Sequence, residues 1–133
     1  MYLNCTLFED DKIRKDFYRC DEVAINLNSV DLNDFSKFNK CPDFVNALDV
    51  LKGIEEFRKE FKGKLGIYTM FLSGVNDNMK NVEELKDFLL KVIPDHYSVS
   101  NYTLNGFRPV SNDFKKELKK ALRYLPFRII YMF

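Results

Sequence analysis

Hydrophobic and polar positions along this chain switch between two periods. Over residues 21–28, DEVAINLN, the apolar Val23, Ile25 and Leu27 face one way and Asn26 and Asn28 the other, the alternation of a strand. From Pro42 onward, Phe44, Leu48, Leu51, Ile54, Phe57 and Phe61 recur at helical spacing. Pro42 suits the first turn of that helix and Gly63 the position just past its end. Residues 64–72 return to the strand pattern. A helix is then expected to open at Asn81, with Glu84 completing a variant capping box, and to bury Val82, Leu85, Phe88, Leu89 and Val92 before Pro94 stops it. Residues 96–103 read as a third clear strand, and residues 104–110 as a loop. Ser111 caps a last helix whose stripe is Phe114, Leu118, Ala121, Leu122 and Leu125; Pro126 breaks it, and residues 127–133 form an apolar final strand. At the front, residues 2–4 end a short strand, residues 9–19 read as a helix, and residues 31–39 as a short helix or turn.

Strands alternating with helical crossovers give an α/β fold, a parallel sheet with crossover helices, in one domain over residues 1–133. Ligands of such sheets bind beyond the carboxyl ends of the strands. Three polar junctions fall there. One is Asn26, Asn28 and Ser29; one is the elbow Ser73, Gly74, Val75, Asn76 and Asp77; one is Asn101, Tyr102, Thr103 and Asn105, with Arg108 behind it. Asn4, Cys5 and Thr6 make a weaker fourth. Amides and hydroxyls donate and accept hydrogen bonds, so they suit ribose hydroxyls, adenine edges and carboxylates, but they are poor general bases. The same residue types are ordinary turn formers, and Gly74 suits a turn that needs a positive φ.

Composition narrows the classes. The chain has 133 residues and a net charge of +1, which argues against nucleic-acid binding by bulk charge. The lysines of DFKKELKKALR lie mostly off the apolar stripe, as a solvated helix face does; an RNA-contacting patch is the sharper alternative. No apolar run nears the roughly 20 residues of a membrane helix. The N-terminus lacks the basic-then-apolar order of a signal peptide, so a cytoplasmic protein is expected. The three cysteines, Cys5, Cys20 and Cys41, are widely spaced and read as free thiols rather than a metal site. The single His96 sits at the wrong end of its strand for the polar junctions and reads as structural. No P-loop, G-x-G-x-x-G, G-x-S-x-G or H-E-x-x-H is present.

The stretch DEVAINLNSVDLNDFSKFNK, then FRKEFKGKLGIYTMFLSGVND, resembles the later half of radical SAM enzymes, in the branch of wybutosine-type tRNA-modifying enzymes and related archaeal iron–sulfur oxidoreductases. That branch has a strand ending Ser-Leu-Asp, a following acidic-x-Phe-x-x-x-Asn-Arg stretch, a helix carrying Phe-Arg and a strand closing in Gly-Val-Asn-Asp. Here Asn26-Leu27-Asn28, Asp34-Phe35, Asn39-Lys40, Phe57-Arg58 and Gly74-Val75-Asn76-Asp77 follow in that order, and Arg108-Pro109 looks like a later family segment. The resemblance implies a partial (β/α) barrel that binds S-adenosylmethionine beside a 4Fe-4S cluster at the strands' carboxyl ends. It implies cofactor contacts from Asn26, Asn28, Ser73, Gly74, Asn76 and Asp77, and substrate contacts from Asn101, Thr103 and Arg108. Substitution of Asn76 or Asp77 by Ala is then expected to abolish cofactor binding with little loss of stability.

The departures from the family are specific. Its Cys-x-x-x-Cys-x-x-Cys cluster motif is absent, and Cys5, Cys20 and Cys41 cannot replace it by spacing. Asn26 and Asn28 stand where Ser and Asp are usual, and Ser73 where Lys is common. The chain begins near the family's third strand. The expectation is therefore the C-terminal portion of a radical SAM enzyme, forming part of the S-adenosylmethionine and substrate pocket. It is inactive until another chain supplies the cluster. The alternative is a non-catalytic α/β binding or interaction module of the same descent. A half-barrel exposes a sheet edge. A cluster-bearing N-terminal half, a second copy of the chain, or closure into a smaller sandwich with the last strand inserted would each cover it.

Overall fold

The computed structural model describes residues 2–3, 8, 10–31, 47–103 and 106–133. Five strands, β1 (Tyr2–Leu3), β2 (Glu22–Asn26), β3 (Lys64–Phe71), β4 (His96–Asn101) and β5 (Arg128–Met132), form one parallel sheet in sequential order. Among the described residues four helices lie between them: α1 (Asp11–Phe17), α2 (Ala47–Glu60), α3 (Met79–Val92) and α4 (Asn112–Leu122). The expectations for Asn4, Cys5, Thr6, residues 32–46 and Asn105 lie outside the described residues.

Sequential parallel order has a geometric consequence. Right-handed crossovers between neighbouring strands put the described helices on the same side of the sheet. The buried side chains agree. Val23, Ile25, Leu65, Ile67, Phe71 and Val99 from the strands join Ile54, Phe57, Leu85, Leu89, Phe114 and Leu118 from the helices in one core. Burying each of these contributes roughly 1.5–3 kcal/mol. Phe57 is a hub of that layer, its ring 4.7 Å from Phe61, 4.9 Å from Phe8 and 5.4 Å from Tyr18.

The residues between the core positions face the other way. Register aligns them in rungs: Ala24, Gly66, His96 and Arg128; then Asn26, Tyr68, Ser98 and Ile130; then Met70, Ser100 and Met132. None of them joins that cluster, although Ala24 and Ser98 are buried. Among the described residues this concave face mixes polar and apolar side chains and carries no Phe. The fold is thus α/β, a parallel sheet with crossover helices wound in one direction as in a partial (β/α) barrel. Its last strand lies at the sheet edge beside β4, not inserted between other strands.

Local details depart from the sequence pattern in three places. Helix α3 opens two residues before Asn81, because Asn78 is its N-cap and accepts the Asn81 N–H at 2.9 Å. Leu48, part of the apolar stripe of α2, is 46% exposed, while Val50 takes the core. Gly63 does not adopt a positive φ. It is small because a Cβ there would lie 2.5 Å from the Asp21 carbonyl, where the start of β3 is tied to Asp21 through the Lys64 N–H.

Candidate functional site

At the carboxyl end of the sheet, β2 and β3 part and α3 begins. Backbone pairing ends there, and side-chain amides take over. The Asn28 Oδ1 accepts the Met70 N–H at 2.8 Å, extending the β2–β3 ladder by one side-chain rung. Asn76 is 0% exposed. Its Oδ1 accepts the Leu72 N–H at 2.7 Å, and its Nδ2 donates to the Asn28 carbonyl at 3.0 Å and the Met70 carbonyl at 3.1 Å. Asn81 Nδ2 donates to the Asn76 carbonyl at 3.1 Å and the Asn28 carbonyl at 3.3 Å. These three asparagines satisfy buried backbone groups that no strand neighbour reaches.

The rest of the elbow completes the turn. Gly74 has φ 78°, a left-handed conformation that favours glycine, and a Cβ there would meet nothing within 4 Å. Its N–H donates to Asp77 Oδ1 at 2.8 Å. Ser73 and Asp77 are half-buried and Gly74 is exposed. The cluster of Ser, Gly, Asn and Asp at this junction therefore has a structural cause. Asn76 is locked in the fold, so its loss is expected to reduce stability, whereas the sequence-based expectation is lost cofactor binding with little loss of stability.

The structure brings Asn28, Gly74, Asn76 and Asp77 into one connected elbow. Asn26 is half-buried on the concave face, in register with Tyr68. Asn101 is in register with Phe71, on the helix side, where its Oδ1 is buried without a hydrogen-bond partner. Thr103 and Arg108 are exposed beyond β4. Sequence reasoning placed Asn81 as a helix cap and missed its role in the amide cluster. It also passed over Tyr68, Ser98 and Ser100, although the strand alternation that singled out Asn26 applies equally to them.

A chain of hydroxyls runs beneath the elbow on the helix side. Tyr97 donates to Thr69 Oγ1 at 2.7 Å, and Thr69 donates to the Leu27 carbonyl at 2.6 Å. Burial raises the Tyr97 pKa strongly, against a smaller opposing effect of its bond to Thr69. At the other end of the sheet, Asp95 accepts the Leu65 N–H at 2.7 Å and pairs with Arg58 at 3.1 Å. Desolvation pulls the Asp95 pKa up, but the hydrogen bonds from Leu65 and Arg58 outweigh it and hold the carboxyl below its usual value. Among the described residues, no three His, Cys, Asp or Glu side chains gather as a metal site. The free thiol of Cys20 precedes β2, at the end of the sheet away from the elbow. No helix among the described residues is long and apolar enough to cross a membrane.

No family model matches the chain. It is 30% identical over 89 residues to a UPF0026 protein of Helicobacter pylori strain J99, a match covering 67% of this chain and 29% of that protein. A UPF0026 protein of Synechocystis is 26% identical over 78 residues, covering 59% and 29%. The GTPase Obg of Brachyspira hyodysenteriae is 24% identical over 126 residues, covering 91% of this chain and 18% of that one. The chain thus spans less than a third of the length of these curated relatives. Among solved structures, a domain of pyruvate-formate lyase-activating enzyme from Bacteroides vulgatus superposes with a TM-score of 0.78 at 19% identity, over 96% of this chain and 78% of that one. A radical SAM methyltransferase from Sphaerobacter thermophilus gives 0.71 at 15% identity, over 91% and 37%. Streptococcus suis SuiB gives 0.62 at 15%, over 93% and 30%. The fold is that of radical SAM enzyme domains.

Proposed function

We propose that this chain is the later part of a radical SAM barrel and forms one wall of its pocket for S-adenosylmethionine and substrate. One observation carries the reading: a parallel sheet wound in sequential order, with the described helices on one side and a mixed face bearing Asn26, Ser98 and Ser100 on the other. Together with the similarity of fold, that face supports a barrel interior rather than a solvent face.

The residues fit the cofactor in part. Asn26 and Asn28 line the concave rim and supply amides for a ribose or a substrate group. Ser73, Gly74, Asn76 and Asp77 fix the shape of the loop beside the adenosine moiety, with Asn76 and Asp77 acting through their internal bonds. Asn101, Thr103 and Arg108 follow β4, where Arg108 suits a carboxylate. Asn26 and Asn28 would face S-adenosylmethionine, which with a reduced 4Fe-4S cluster would supply radical chemistry to the pocket. The cluster itself does not fit this chain, because Cys5, Cys20 and Cys41 lack the spacing and Cys20 is at the wrong end of the sheet. Its ligands belong to a segment outside residues 1–133, and without that segment the chain is inactive. The likeness to tRNA-modifying enzymes makes an RNA the substrate class we favour, in a cytoplasmic setting that agrees with the unpaired Cys20 thiol.

A second reading has its own support. The elbow amides are spent on backbone groups of the fold, which suits a non-catalytic binding or interaction module as well as a cofactor loop. The deciding experiment is native purification of the protein from its source, with mass spectrometry of everything that travels with it. The first reading expects a Cys-x-x-x-Cys-x-x-Cys segment, on the same polypeptide or on a companion. A protein that runs alone or only with itself, with no such segment, overturns it and leaves the module.

A further inference from the structure

We propose that the floor of the concave face, at the amino ends of the strands and opposite the elbow, is a second binding site. Its ligand is a small organic anion with a carboxylate or phosphate head and an apolar body. The inference does not depend on the radical SAM reading.

The floor holds a depression of about 390 Å³ lined by Lys64, Tyr68, His96, Arg128 and Ile130, with Glu22 and Asp95 at its margin. The acids there are occupied. Asp95 holds Arg58 and the Leu65 N–H, and Glu22 has an interaction of its own. The bases are not. The side chains of Lys64 and Arg128 make no ion pair or hydrogen bond among the described residues, so both cations are open to an anionic group.

Between those cations the imidazole of His96 is held in place. It reaches from β4 over Gly66 of β3, and a Cβ on Gly66 would run into the ring. It meets Tyr68 edge-on, with centroids 5.9 Å apart and planes at 89°. One rung further in, Ser98 is 1% exposed and its Oγ is buried without a partner. That hydroxyl lies beneath the lining residues and not among them. The floor thus presents a guanidinium and an ammonium suited to an oxyanion, with an imidazole between them. Tyr68 and Ile130 supply the apolar wall for the body of the ligand.

The single histidine of the chain gives one imidazole Cε1–H resonance by proton NMR. The intact chain is titrated at fixed pH with benzoate, with phenyl phosphate, and with benzyl alcohol as the neutral counterpart. A saturable shift with benzoate or phenyl phosphate is expected, and whichever binds identifies the head group. Replacing both exposed bases, Lys64→Ala with Arg128→Ala, should weaken that binding about tenfold, the scale of lost charge-assisted bonds at an exposed site. Shifts that stay linear in both anions, that benzyl alcohol reproduces, or that persist with equal affinity in the double variant overturn the proposal.

Discussion

Asn76→Ala gives the sharpest test of how the elbow is built. The substitution removes three hydrogen bonds from a side chain that is 0% exposed. It strands the Leu72 N–H and the Met70 carbonyl. The Asn28 carbonyl keeps only the longer bond from Asn81, at 3.3 Å. With a net value near 1 kcal/mol for each bond and the added penalty for buried groups left unmade, the loss is about 2–4 kcal/mol. That is a large share of the roughly 5–15 kcal/mol that holds a domain folded. Asp77→Ala removes one bond at a half-buried site and should cost about 0.5–1 kcal/mol. Asn76→Asp keeps the acceptor for Leu72 but points a carboxylate oxygen at two carbonyls. Its folded-state pKa is therefore raised, so this variant is most stable at low pH and loses stability as pH rises through that value. Urea unfolding followed by circular dichroism measures all three. Equal midpoints for Asn76→Ala and Asp77→Ala, or a loss below about 1 kcal/mol for the former, would refute the view that the amides hold the strand ends together.

Three further outcomes are expected. Thr69→Val strands both the Tyr97 hydroxyl and the Leu27 carbonyl and should cost about 2–3 kcal/mol, whereas Tyr97→Phe leaves the Thr69 bond intact and should cost about 1 kcal/mol; thermal melts of the two give the order. Because the Asp95 pKa is depressed in the folded state, the stability it contributes is present above its unfolded pKa, near 4, and is lost as pH falls through the lower folded value; Asp95→Asn should flatten that part of the acid-unfolding curve. Gly66→Ala should displace the His96 ring at small cost in stability, since only the far end of one side chain must move; the imidazole resonance should lose the ring-current shift from Tyr68, and an unchanged resonance would contradict the contact.

The sequence by itself determined the element order, the parallel α/β class and the two faces of the strands. Alternation in DEVAINLN and helical spacing in α2, α3 and α4 are local signals, carried by neighbours in the chain. Ser111 was legible as a cap for the same reason, and its Oγ accepts the Phe114 N–H at 3.1 Å. The polar elbow could be found in the sequence, but its purpose could not. Asn76 bonds to Asn28, 48 residues away, and Asn81 bonds to it from 53 residues away, contacts that exist only once β2 and β3 lie side by side. The position of His96 over Gly66 and the stranded hydroxyl of Ser98 likewise depend on register between strands. Tertiary structure decided these features because an amide in a sequence has four bonds to offer, and only the folded neighbours decide which backbone groups take them.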